Sequence, residues 1–145
     1  MSELTEPQWD EFLSLHPDAH LLQTSAWGKL KTGFGWRAMR IVHEGVGAQI
    51  LFRRLPLGLS LAYLPKGPVG LASADADSSW EPFLPAVDRL CRQEKAVFLK
   101  VEPDLWQSTQ ASMPAPQGFL NSQQDIQPAR TLLVDLSGSE DQILA

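Results

Sequence analysis

The sequence predicts an α/β protein with a mixed, largely antiparallel sheet flanked by helices, and three observations carry that prediction. Apolar residues recur at helical spacing in residues 5–16 and 80–91. Short apolar runs separated by glycine and proline turns fill residues 36–64. A helix then stands between that meander and later runs at 96–101 and 131–136, as a crossover into the same sheet requires.

The elements follow in order. Thr5-Glu6-Pro7-Gln8 has the capping-box pattern with proline in the first turn, and Trp9, Phe12, Leu13 and His16 continue it up to Pro17. Ser25 is the expected cap of a second, short helix whose apolar stripe is Trp27 and Leu30, stopped by Gly33 and Gly35. Residues 36–42 and 48–53 read as a hairpin turning at Glu44-Gly45, and 59–64 as a third strand. Residues 65–70, PKGPVG, are all turn chemistry, and 72–79 form a small polar loop. Trp80, Phe83, Leu84, Val87, Leu90 and Cys91 then share one helical face, with Pro82 and Pro85 restricting its early turns or delaying its start. Residues 96–101 are expected to form a buried central strand, 106–117 a polar loop, 119–127 an irregular strand and 131–136 a last strand. This order is compatible with an acyltransferase-like sheet of the GNAT type, although pattern alone does not select that fold over other α/β sandwiches.

The bulk numbers bound the function. At 145 residues, 43% hydrophobic and 20% charged, the chain is the size of one domain, residues 1–145. A net charge of −5 gives no global pull toward DNA, yet leaves room for a local basic pocket. Cys91, the lone cysteine, has no disulfide partner in the chain and fits a reducing compartment as a buried small side chain. The polar, acidic start is unlike a secretory signal, and no apolar run approaches the ~20 residues that span a bilayer, so a cytoplasmic protein is expected. Ser139-Glu140-Asp141-Gln142 announces a helix that three residues later is cut off, so the chain is expected to be a piece of a longer protein, the alternative being a short terminal helix.

No phosphate-loop, nucleophile-elbow or zinc-protease motif is present, and His16, His20 and His43 are too scattered to predict a metal site. The cations are more informative. On a helix, Lys29 falls about 160° from Trp27 and faces water, whereas Lys31 falls about 40° from it and borders the packed stripe. There its ammonium either snorkels along Trp27 or projects into a cleft beside the sheet. Lys66 sits on a rigid glycine-containing turn at a strand end, where it either meets an anion or faces solvent. Glu102 and Asp104 flank Pro103 at another strand end, positions suited to a base, a ligand anchor or mere solvation. Arg53-Arg54 is a weak signal because neighbours on a strand face opposite sides. Trp106, beside a loop, is the tryptophan most suited to cover a ligand.

These residues stand in a recognisable order. QTSAWGKLK followed by GW, then LAYLPKGPV, then AVFLKVEPD after a helix, then GF and QPARTLLVDLSGSEDQIL resemble the N-terminal part of the Fem family, from Leu22 to Ala145. These are the peptidoglycan bridge-forming aminoacyltransferases, often labelled FemAB-like or methicillin resistance proteins. The resemblance implies two GNAT-like domains, of which this chain is much of the first. It implies transfer of an amino acid from aminoacyl-tRNA to the stem-peptide amine of a lipid-linked or UDP-linked peptidoglycan precursor, with no coenzyme A or other cofactor. The family's phosphate-contacting lysine carries over to Lys31 and its strand-end acidic residue to Glu102, while Val97 stands where a pocket-lining tyrosine is expected. With Trp27 and Lys66 these make the expected substrate-binding set; the catalytic residues are unassigned, and the chain is expected to be inactive alone. An apolar face normally covered by the second half would let it pair with a second copy.

Two other readings stay open. One keeps the fold with a different amine acceptor, to be decided by whether the missing half carries a loop for the pyrophosphate of coenzyme A. The other is a non-catalytic domain that binds a partner protein or a precursor without turnover.

Overall fold

Helix α1 (Glu6–Ser14) starts where expected: Gln8 Oε1 accepts from the Thr5 N–H at 2.9 Å and from its hydroxyl at 2.8 Å. The computed structural model describes residues 3–71, 81–104, 117–128 and 137–143. A 3-10 turn at Leu21–Gln23 leads into α2 (Ser25–Thr32). Its cap is Thr24 and not Ser25: the Thr24 hydroxyl accepts from the Trp27 N–H at 3.3 Å, and Ser25 instead donates to the Asp10 carboxylate.

Strands β1 (Trp36–His43) and β2 (Val46–Arg54) form the expected hairpin. Glu44 and Gly45 both take positive φ, 50° and 79°, as a tight two-residue turn demands. After a turn at 55–59, β3 (Ser60–Pro65) pairs antiparallel with β2. Helix α3 (Leu84–Gln93) crosses over, and β4 (Ala96–Glu102) pairs parallel with β3. Pro85 falls in the first turn of α3, so the helix starts late, one of the two outcomes expected of Pro82 and Pro85. A short α4 (Glu140–Ile143) follows Ser139, whose C=O accepts from the Ile143 N–H at 3.0 Å.

Two expectations are corrected. Among the described residues β4 is an edge strand rather than a central one, in the order β1-β2-β3-β4, and Val97 and Phe98 are over half exposed. Residues 119–127 form bends and no strand, because their backbone is held by side chains rather than by a ladder. The expected loop at 72–79, that at 106–117 except Gln117, Trp80, Trp106 and the strand at 131–136 lie outside the described residues.

The two faces of the sheet differ in chemistry. Alternation puts Met39, Ile41, Ile50, Phe52, Ala62 and Leu64 on one face, where they meet Phe83, which caps α3, and Ala86, Val87 and Leu90 of that helix in the apolar core. The other face carries Trp36, Arg40, Gln49, Arg53, Tyr63, Lys100 and Glu102, and receives α1 and α2.

Candidate functional site

The polar face is organised by two buried glutamines. Gln23 donates from Nε2 to the Pro65 carbonyl at 2.6 Å, and its Oε1 accepts from the Gln49 N–H at 2.8 Å. Gln49 donates to the Thr24 carbonyl at 2.9 Å and accepts from Arg40 Nε at 2.9 Å. The 3-10 turn and α2 are thus pinned to β2 and β3 by side-chain amides rather than by apolar burial. Trp9 adds a 2.7 Å bond from Nε1 to the Gln23 carbonyl. Gly28 lets α2 approach this closely, since a Cβ there would sit 2.3 Å from Gln49 Oε1 and 2.9 Å from Arg40 Nη2. The buried surface of α2 is therefore Ser25 and Gly28, and Leu30, expected in the packed stripe, is 52% exposed.

This seating fixes the opposite side of α2. Lys29 is exposed, as its helical position predicts. Lys31 is half-buried, with Nζ 5.6 Å from the Trp27 ring centre and 5.3 Å from that of Trp36. Arg53, across the ladder from Trp36, lies 5.7 Å from the same ring. Among the described residues Lys31 forms no ion pair. The Nε1 of Trp27 is a buried donor with no acceptor.

A second cluster lies toward the other end of the same face, where β3 and β4 finish. Glu102 Oε2 accepts from the Tyr63 hydroxyl at 2.5 Å and from the Gln127 N–H at 3.1 Å. Its Oε1 accepts from the Ile126 N–H and lies 3.6 Å from Lys100 Nζ. Lys100 also donates to the Gln124 carbonyl, and Gln127 Nε2 donates to the Tyr63 oxygen at 2.9 Å. Burial disfavours the Glu102 charge, yet the bonds from Tyr63, Ile126 and Gln127 and the nearby Lys100 ammonium hold its carboxyl below the ordinary value of 4.5. Burial, and then the bond to Glu102, push the Tyr63 phenol above its ordinary range. Lys66 belongs here too, with Nζ 3.5 Å from Asp104 Oδ1 and its N–H donating to the Glu102 carbonyl at 2.5 Å.

The predicted set therefore divides. Lys31 and Trp27 come together at one end of the sheet, and Lys66 and Glu102 at the other. The ladder separates the two pairs by roughly 20 Å, taking ~3.3 Å per residue and ~4.8 Å per strand. Val97 is 53% exposed beside the register shift between Ser60 and Ala62. Sequence reasoning missed Gln23, Gln49, Arg40, Tyr63 and Gln127. Three of them carried a signal: Tyr63 is the chain's one tyrosine and lies within LAYLPKGPV, and Gln23 and Gln127 open the QTSAWGKLK and QPARTLLVDLSGSEDQIL stretches. Among the described residues no group of three or more His, Cys, Asp or Glu could hold a metal, and no helix is long and apolar enough to cross a membrane.

The FemAB family model matches residues 4–132. The chain belongs to the FemAB family. Its relatives include the lipid II:glycine glycyltransferase of Staphylococcus saprophyticus, 34% identical over 108 residues that cover 70% of this chain and 26% of that one. The Staphylococcus aureus protein of the same name is 28% identical over 158 aligned positions, covering 97% of this chain and 37% of its own. Among solved structures, the crystal structure of FemX superposes with a TM-score of 0.57 at 27% identity, over 74% of this chain and 28% of that one. This FemAB chain thus spans between a quarter and two-fifths of the length of the curated relatives it matches.

Proposed function

We propose that this chain is the N-terminal part of a two-domain, GNAT-like aminoacyltransferase of the cytoplasm. The whole protein moves an amino acid from aminoacyl-tRNA to the stem-peptide amine of a lipid-linked peptidoglycan precursor. Family membership and the names of the staphylococcal relatives support this reaction class. Adding an amine to an activated ester needs both substrates held together and the amine deprotonated. This chain contributes part of the acceptor site, with Lys31 binding a precursor phosphate, and is inactive without the rest.

One observation carries the role of Lys31: its ammonium is engaged by two indole faces and by no carboxylate among the described residues. A cation–π contact stabilises by about 0.5–2 kcal/mol, whereas a charge-assisted bond to an anion contributes about 1.5–3 kcal/mol. A phosphate therefore competes well for this ammonium, and the rings hold the side chain in place meanwhile. Lys66 is already paired with Asp104, so an anion there must first displace a carboxylate.

Calorimetry of a soluble UDP-linked muropeptide with the full-length protein and with Lys31→Ala tests the assignment. The expected loss in affinity is about 10- to 100-fold. Unchanged affinity sinks it.

A further inference from the structure

We infer that the end of the sheet where β2 finishes and β1, β3 and β4 begin is a docking surface for an anionic lipid bilayer. The pairings Trp36↔Arg53, Arg54↔Ser60 and Ser60↔Ala96 bring three connections to this end: 33–35, 55–59 and 94–95. Two of them present apolar tips, Phe34 at 67% exposure and Leu57 at 94%. Leu30, on the last turn of the adjoining α2, is half exposed as well.

Leu57 is the most telling of the three. Its φ of 64° lies in the left-handed region, where glycine or asparagine fits with little strain and a branched apolar residue does not. Neither packing nor backbone conformation gives the fold a reason for leucine at this tip. An external apolar partner does.

The charges around these tips point to the nature of that partner. Lys29, Arg54 and Lys95 surround them and form no ion pair among the described residues. Arg37 and Arg53 lie at this end too, and the acidic side chain of the 94–95 connection, Glu94, is taken up by Arg37 at 2.9 Å, so cations outnumber acids here in a protein whose net charge is −5. Cations beside an anionic leaflet gain from its surface potential, and apolar tips gain by entering the boundary between headgroups and acyl chains. A folded RNA would use the same cations but offers nothing to an aliphatic tip such as Leu57, so the bilayer is the better match. Lys31 lies at this same end, over Trp36. Seated this way, the protein would hold Lys31 at the depth where a lipid-linked precursor carries its phosphates. That last step rests on the function proposed above, whereas the vesicle contact does not.

Co-sedimentation of the full-length protein with precursor-free vesicles separates the two. Binding is expected to phosphatidylcholine vesicles containing about one-third phosphatidylglycerol, to weaken with salt, and to be lost on phosphatidylcholine alone. Phe34→Ser combined with Leu57→Ser should weaken binding about tenfold or more, since both lose their apolar burial. Lys29→Gln combined with Arg54→Gln should weaken it on the anionic vesicles. Leu57→Gly relieves the left-handed strain, so it should melt no lower than the parent and still bind vesicles more weakly, which separates lost docking from lost folding. Equal binding to both vesicle types, or undiminished binding by the apolar variants, overturns the inference. So does a result in which the cation variants lose affinity only for unfractionated tRNA. If vesicle binding is absent while Lys31-dependent muropeptide binding persists, the bilayer contact falls and the transferase reading stands. If vesicles bind as expected while Lys31→Ala leaves muropeptide affinity unchanged, the bilayer contact stands and the phosphate role of Lys31 falls.

Discussion

Replacing Gly28 by alanine sets two effects against each other. In an exposed helix the change would stabilise by about 0.8–1 kcal/mol through helix propensity. At this position the new methyl would lie 2.3 Å from Gln49 Oε1 and 2.9 Å from Arg40 Nη2, too close for either to stay. Overpacking of a well-fitted site costs about 1–3 kcal/mol, and breaking the Arg40–Gln49 bond costs about 1.5–3 kcal/mol more because one partner is charged and buried. The net expectation is a destabilisation of about 1.5–5 kcal/mol, seen as a drop of roughly 5–15 °C in Tm. Chemical denaturation followed by circular dichroism measures it, and Gln49→Ala supplies the control. Gln49→Ala removes the obstructing amide, so the double variant should be more stable than the two single losses predict. Gly28→Ala as stable as the parent, or strictly additive with Gln49→Ala, would refute the close seating of α2 on which the position of Lys31 depends.

Three further outcomes follow from the same geometry. Glu102 has a depressed folded-state pKa, so its stabilising contribution is complete above the ordinary value of 4.5 and is lost as pH falls through the folded value. Glu102→Gln should therefore flatten the acid limb of a stability–pH curve, and an unchanged limb would count against the Tyr63–Glu102 clasp. Burial and then the Asp88 charge push the Cys91 thiol up to about 11, so alkylation at pH 8 should run about a hundred to a thousand times slower than for a free thiol, whose pKa is near 8.5. Tyr63→Phe removes the hydroxyl that bonds both Glu102 and Gln127, and hydrogen exchange should report faster opening of the Ile126 and Gln127 amides.

The elements that could be read in advance are those whose cause is local. The capping box at Thr5, the Glu44-Gly45 turn and the apolar face of α3 each depend on residues within a turn or two of one another, and each appears in the structure. The misreadings all involve long-range partners. Ser25 looks like a cap until Asp10 claims its hydroxyl, and Thr24 then does the capping. Leu30 looks like a core residue until Gly28 turns the helix onto Gln49. Helical spacing separated Lys29 from Lys31 correctly, but it had no means of supplying Trp36 as the second ring, because that contact needs β1 folded against α2. Tyr63 and Gln127 are 64 residues apart, so no local pattern links them.

The two candidate pairs also differ in what ligand binding would cost them, and that difference constrains the chemistry. For Glu102 to serve as a base or to hold a substrate amine, it must surrender Tyr63 or a backbone N–H, each bond to the charged carboxylate contributing about 1.5–3 kcal/mol. Its hydrogen-bond donors and the Lys100 ammonium hold its carboxyl below the ordinary carboxylate value, away from the neutral range in which a general base works best. Four partners and a depressed pKa describe a group that fixes the 124–127 segment against the ends of β3 and β4. Lys31 surrenders only ring contacts when it takes an anion. On these energetics the lysine proposed to bind phosphate, held only by indole rings, stands at one end of the sheet and a structural clasp at the other. Under the transferase reading proposed above, the proton lost by the acceptor amine would go to a group other than Glu102.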